Sequence, residues 1–256
     1  MSDCVEGKIN ENELNEIHCK LLNILKKFDA FCEENGLSYF IQSGTLLGAV
    51  REKGFIPWDD DADLVMKRED YIKLKSLFKD NGGEDYGLSL IITDRVPKIM
   101  AVKDDTVHAD IFLLDYRPKS RLAGRIKIFR LKFLQGMLKS KEKIDYSAYS
   151  FFGRLAVFAT RCAGAFFTKK YLLARYEKVS CTKRKKQGSE VSFTNELFRF
   201  MDRKFPADFF GEIIRIPFED TELNAPSNWD GYLKFNYGED YMTPKQENYF
   251  AEENKI

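Results

Sequence analysis

Four acidic residues fall within five positions, Asp59-Asp60-Asp61 and Asp63, directly after Pro57-Trp58 and ahead of the apolar Leu64-Val65-Met66. If 61–66 is a strand, side chains alternate faces, so Asp61 and Asp63 point the same way with stems roughly 7 Å apart, two steps of about 3.4 Å. That spacing suits oxygen donors converging on a hard cation such as Mg²⁺ or Mn²⁺. Two-metal sites hold their ions ~3.5–4 Å apart and clamp both oxygens of a phosphoryl displacement. Just upstream runs Ser43-Gly44-Thr45-Leu46-Leu47-Gly48. Gly44 and Gly48 let backbone approach a phosphate, and Ser43 or Thr45 could cap a helix beginning there.

Other readings of the cluster fare worse. A calcium loop of the EF-hand kind needs Gly where Leu64 stands and Glu where Asp70 stands. A P-loop needs Gly-Lys-Ser/Thr after the glycines, and none follows; nor is there a dinucleotide-type glycine triplet. A solvated acidic turn is the usual fate of a charge run. Here, however, the acids are wedged between Phe55-Ile56-Pro57-Trp58 and an apolar stretch, where idle like charges repel one another.

A further acid, Asp110, sits alone in the apolar run Val107-His108-Ala109-Asp110-Ile111-Phe112-Leu113-Leu114. A buried unpaired carboxylate is expensive, so Asp110 needs a cation or several donors, and it is the natural third metal ligand. His108 shares its face and reads as a satisfied neighbour, not as a ligand. Asp115 is expected to end the strand and cap a turn.

Ser43–Arg51 together with Lys53-Gly54-Phe55-Ile56-Pro57-Trp58-Asp59-Asp60-Asp61-Ala62-Asp63 resembles the signature of the LicD family, and Asp110–Asp115 resembles that family's Asp-Ile-Phe-x-Leu-Asp motif. The family comprises phosphocholine transferases and related enzymes, with fukutin-related proteins as distant relatives. The resemblance implies a nucleotidyltransferase-like fold, with Gly44-Thr45 in its glycine-containing turn and Asp61 and Asp63 as its metal-binding pair. The implied reaction moves phosphocholine, or a similar group, from a CDP-linked donor such as CDP-choline to a glycan hydroxyl. The acceptor would be a cell-surface glycan (lipopolysaccharide or teichoic acid) or its lipid-linked precursor. Asp61, Asp63 and Asp110 would hold Mg²⁺ or Mn²⁺; Asp59 would be a further ligand or the base for the acceptor hydroxyl. Arg51 and Lys53 would meet phosphate, positioned by Ser43, Gly44 and Thr45. Glu52 stands where many relatives have His. Two other functions are carried alongside: a nucleotidyltransferase releasing pyrophosphate, and a non-catalytic membrane-surface binding module.

The elements that must position these residues follow from periodicity. Residues 11–35 read as an amphipathic helix through Leu14, Ile17, Leu21, Ile24, Leu25, Phe28 and Phe31, closed by Asn35-Gly36. A strand over 37–42, a short helix over 45–52, the carboxylate strand, a helix over 69–80 and strands over 86–93, 96–103 and 107–114 come next. This order predicts an α+β fold, a small mixed sheet with helices on one side. Helical patterning covers 121–139 and 151–178, and Glu196–Asp202 is a short helix candidate. The segment Arg215-Ile216-Pro217-Phe218 and the aromatic tail Trp229–Pro244 also resemble the LicD ending; the tail reads as packing or as a lid that could hold a choline-like cation.

The expected divisions are a catalytic core over 1–116, a basic aromatic-rich helical insertion over 117–186, and a C-terminal section over 187–256 completing the core. With 44% hydrophobic and 32% charged residues the 256-residue chain is globular. Five scattered cysteines without a Cys-x-x-Cys pair argue against a zinc site or disulfide framework. The acidic, non-apolar N-terminus and the lack of a long uncharged run predict a cytoplasmic protein. Net charge is only +1, yet residues 117–186 carry twenty Lys/Arg against Glu142, Asp145 and Glu177, a balance of +17. Such segregation attracts anionic surfaces, and Phe151–Phe167, with Arg154 and Arg161 on one face, is expected to lie in a membrane interface or to pack as core. The runs Lys169-Lys170 and Lys183-Arg184-Lys185-Lys186 tip this towards peripheral attachment at the inner face of the membrane. Nucleic acid is an unlikely partner, because no recognisable binding motif is present.

Overall fold

The computed structural model describes residues 11–80, 82–141, 146, 150–182 and 187–244. The cluster Lys183–Lys186 lies outside the described residues. Helix α1 (Glu11–Glu34) buries Leu21, Ile24, Leu25, Phe28, Phe31 and Cys32, the spacing of one helical face. It stops at Gly36, whose φ of 59° is left-handed, while Leu37 N–H reaches back to the Cys32 carbonyl at 2.8 Å. Strand β1 (Tyr39–Ile41), helix α2 (Ser43–Arg51), strand β2 (Ala62–Lys67) and helix α3 (Arg68–Lys79) follow. Strands β3 (Leu88–Ile91), β4 (Lys98–Ala101) and β5 (Asp104–Pro118) complete the mixed sheet, in the order β1-β2-β5-β4-β3.

The long strand β5 organises this sheet. It pairs in parallel with β2 and antiparallel with β4, and its last residues pair with β6 (Gln187–Phe193), which in turn pairs with β7 (Phe205–Pro206). A separate ribbon, β8 (Ile213–Phe218) with β9 (Thr221–Pro226), packs beside β1 and α1, and helix α7 (Trp229–Tyr237) follows it. The fold is α+β.

The expectation of helices on one side only is corrected by the neighbours Tyr39 and Phe40. Strand neighbours face opposite ways: Tyr39 meets Phe28 of α1, whereas Phe40 meets Phe210 in the turn after β7. Phe210 packs on Tyr232, so α7 covers the second face. The tail is therefore chiefly packing, with Tyr232 and Leu233 fully buried.

Helices α4 (Arg121–Leu138), α5 (Phe151–Gly164) and α6 (Lys169–Ser180) build a second apolar cluster around Leu131, Leu134, Met137, Leu172 and Tyr176. The helix expected over 151–178 breaks at 165–168, where Thr168 caps α6 by accepting from Tyr171 N–H at 3.2 Å. Arg161 donates to the Tyr146 hydroxyl at 3.0 Å. Glu196–Asp202 forms turns, not a helix. The carbonyls of Asn195 and Glu196, which would open such a helix, accept from Arg95 Nη1 at 2.9 and 3.0 Å.

Candidate active site

Strand pairing sets the centre of the site. In the parallel pair β2–β5, Asp63 stands directly opposite Asp110, and neighbouring strands lie about 4.8 Å apart. Both acids point to the face away from α1, since Asp63 alternates with Leu64 and shares its side with Val65, the partner of Phe40. Asp61 precedes β2 by one residue. All three line a cavity of about 530 Å³ with Ser43, Gly44, Arg51, Trp58 and Asp59.

The approach to the cavity is built by close contacts of α2 with the loop that follows it. A side chain at Gly44 would clash with the Asp59 carboxylate, and one at Gly48 would clash with the Gly54 carbonyl. Gly44 therefore seats Asp59 against the first turn of α2. Gly48 does not line the cavity; its missing Cβ admits loop backbone, not a phosphate. The loop is held from outside by His18, whose Nε2 lies 2.6 Å from the Asp59 carbonyl and whose ring stacks on Phe55. Glu219, in the β8–β9 turn, accepts from Phe55 N–H at 3.0 Å, and its own N–H donates to the Lys53 carbonyl at 2.7 Å.

Three expected roles change. Neither Ser43 nor Thr45 caps α2: the N-cap is Gln42, without a side-chain cap. The buried Thr45 hydroxyl instead accepts from Asp63 N–H at 2.8 Å, tying helix to carboxylate strand. Lys53, at φ 64°, lines a separate depression with Val50 and Trp229, and its Nζ donates to the Val50 carbonyl at 3.3 Å. It is not brought together with Arg51, which does line the cavity and donates through Nε to Glu52 at 2.7 Å. Asp115 caps no turn; within β5 it forms a buried two-point pair with Arg68, Nε to Oδ1 at 3.0 Å, with the Thr194 hydroxyl as a third donor.

The acids destabilise one another. Burial, then the charges of Asp61 and Asp60, push the Asp59 carboxyl up to about 7. Partial desolvation, then Asp60 and Asp110, raise Asp61, although its side chain still meets solvent; burial, then Asp61 and Asp110, hold Asp63 well above the usual carboxylate range. Asp110 Oδ1 is buried without a hydrogen-bond partner. His108 Nε2 and Lys98 Nζ stand 3.5 and 3.6 Å from it, charge-pair distances rather than hydrogen bonds, and those two bond each other. Burial, then the Lys98 charge, lowers the His108 pKa. An all-oxygen donor set with an orphaned buried oxygen has the chemistry of a hard-cation site. Among the described residues no three side chains already close on one point as a finished ligand cage. Asp61, Asp63 and Asp110 are the residues that could hold such an ion.

The far wall was not legible in sequence. Arg95, Asn195, Glu196, Phe200, Arg203, Asn236, Tyr237 and Asp240 all border the cavity. Asn195 is buried and extends the edge of β5, accepting from Leu113 N–H at 2.8 Å and donating to the Ile111 carbonyl at 2.9 Å. Its only sequence signal is a polar residue two positions after Phe193, the last residue of β6.

Residues 36–158 match the family described as LicD/FKTN/FKRP, nucleotidyltransferase domain. The LicD match spans β1 to α5 and includes every acid of the centre. Over 91% of this chain and 93% of the relative, the sequence is 25% identical to the lipopolysaccharide cholinephosphotransferase LicD of Haemophilus influenzae. Two uncharacterized proteins, from Rickettsia prowazekii and Rickettsia typhi, are 44% and 42% identical over 57 residues. That stretch is 22% of this chain and 21% and 18% of theirs.

Proposed function

We propose that this LicD-type enzyme transfers phosphocholine, or a similar substituted phosphate, from a CDP-linked donor to a hydroxyl of a cell-surface glycan or its lipid-linked precursor. The observation that carries the proposal is the Asp63–Asp110 pair at one cavity with Asp61, Asp59 and Arg51. The Haemophilus influenzae relative, similar along nearly its whole length, supports the choice of group and acceptor.

Asp61, Asp63 and Asp110 would hold Mg²⁺ or Mn²⁺. When bound, the ion supplies positive charge to the donor's pyrophosphate and to the departing phosphate. Arg51 meets phosphate oxygens with its guanidinium, and the first turn of α2 at Ser43-Gly44 presents backbone N–H groups to them. Asp59 takes the proton of the acceptor hydroxyl, a role suited to a carboxylate whose pKa lies near neutrality. The hydroxyl oxygen forms the new bond to the choline-bearing phosphorus, and the bond to CMP breaks, CMP leaving with the electron pair. Trp58, Phe200, Tyr237 and Tyr241 supply aromatic surface of the kind that holds a quaternary ammonium.

Incubation with CDP-choline, a glycan acceptor and Mg²⁺ should release CMP and label the glycan. Pyrophosphate release from CTP with a nucleotide left on the acceptor would replace this reading by nucleotidyl transfer. Labelling that is unaffected by chelator would remove the cation from it.

A further inference from the structure

Helix α4 carries two apolar faces. One, with Ile128, Leu131, Leu134 and Leu138, is buried in the second cluster. The opposite stripe, Leu122, Ile126, Phe129 and Phe133, is exposed, Leu122 at 68% and Phe129 at 70%. Three- and four-residue steps keep these side chains on one line, which leads on to Gly136 and Met137. There α5 packs: Gly136 lies against Thr160, and Gly164 against the Met137 backbone. Thus α5 covers only the last turn of this stripe.

Helix α5 repeats the pattern. Gly153, Val157, Thr160 and Gly164 recur at helical spacing on the side that meets α4, and Phe151, Phe152, Leu155 and Phe158 are exposed. Phe166, in the α5–α6 connection, is 86% exposed. Scattered exposed apolar residues are ordinary, but two adjoining helices with whole apolar faces uncovered mark an interaction surface.

Charge selects the occupant. Lys119, Arg121, Arg125 and Arg130 are exposed on α4 or just before it, and Lys169 and Lys170 are exposed at the start of α6, which follows α5. The only acid among the described residues from 117 to 182 is Glu177, which pairs with Lys75 at 3.0 Å. Bulky apolar side chains flanked by cations, with no acid among them, fit a negatively charged, fluid apolar phase. No helix of the described residues is long and apolar enough to cross a membrane. We propose that the α4–α5 face docks the enzyme on an anionic lipid bilayer, phenylalanines entering the headgroup boundary and lysines and arginines meeting lipid phosphates. The proposal is independent of the reaction catalysed.

Co-sedimentation of the full chain with vesicles of phosphatidylcholine, with and without phosphatidylglycerol, tests it. Binding should require phosphatidylglycerol and weaken from about 0.1 M to about 1 M salt, as the screening length falls from ~10 to ~3 Å. Phe129→Ser with Phe151→Ser and Phe158→Ser should reduce binding at least about tenfold while an unchanged melting curve shows the fold intact, because these side chains are solvent-exposed. Arg121→Gln with Arg125→Gln, Lys169→Gln and Lys170→Gln should lower binding by a similar or larger factor, since each cation near an anionic surface adds to the attraction. Absence of wild-type binding to phosphatidylglycerol vesicles at low salt overturns the proposal. So does triple-serine binding equal to wild type. A wild-type dimer that the serine substitutions convert to monomer, without any lipid binding, would assign the face to a second copy of the chain.

Discussion

Asp63 and Asp110 face each other across the parallel pair β2–β5, with Thr45 of α2 holding the Asp63 N–H at 2.8 Å. Two carboxylates on adjacent strands cannot both ionise cheaply unless something positive separates them. Asp63→Asn removes one charge and keeps the shape. Turnover should fall at least about a thousandfold, the scale of losing a group that stabilises transition-state charge. In metal-free buffer the melting temperature should rise by a few degrees, at about 2–4 °C per kcal/mol for a chain of this size. Turnover within about twofold of wild type at saturating Mg²⁺ would remove Asp63 from the centre.

Thr45 offers a finer test. Thr45→Val strands the part-buried Asp63 N–H, which should cost about 1–3 kcal/mol of stability. It should also lower turnover, because the strand that carries Asp63 loses its tie to α2. Thr45→Ser keeps the hydroxyl and should restore both, measured by thermal melts and CMP release side by side.

The Arg68–Asp115 pair is buried and distinct from the cavity acids. Removing one partner leaves an uncompensated charge, so Asp115→Asn or Arg68→Met should cost about 3–5 kcal/mol. The expected fall in melting temperature is roughly 6–20 °C. Turnover per folded molecule, assayed well below the transition, should stay within about threefold of wild type, the signature of a structural role.

Lys127 on α4 donates to the Tyr116 carbonyl at 3.1 Å and the Thr182 hydroxyl at 2.9 Å. Burial, partly offset by the Asp115 charge, lowers its pKa from 10.5 to about 8. The folded chain therefore gives up this proton at lower pH than the unfolded chain. Below about pH 8 the burial cost is fully present, and it is relieved as pH rises through 8 towards 10. The melting temperature of wild type minus that of Lys127→Met should accordingly increase between pH 7 and pH 9.5. A flat difference would show that Lys127 keeps its charge throughout that range.

Much of the centre was legible because local chemistry is written locally. The cluster Asp59–Asp63, the lone Asp110 in an apolar strand and the glycines of α2 each carry their signal within a few residues, and amphipathic periods marked α1, α3, α4 and α5. What the chain could not state is who meets whom at long range. The Asp63–Asp110 facing depends on strand order and register, which join residues 47 positions apart. The conversion of Thr45 from helix cap to strand tie, the withdrawal of Lys53 to another depression and the engagement of Asp115 by Arg68 all follow from packing partners. The far wall exists because Asn195 satisfies the backbone edge of β5 while Arg95 holds the carbonyls of Asn195 and Glu196, and backbone carries no side-chain signal. Exposure of the phenylalanines on α4 and α5 was likewise undecidable from pattern, since a helix with two apolar faces reads the same whether one neighbour or two will cover it.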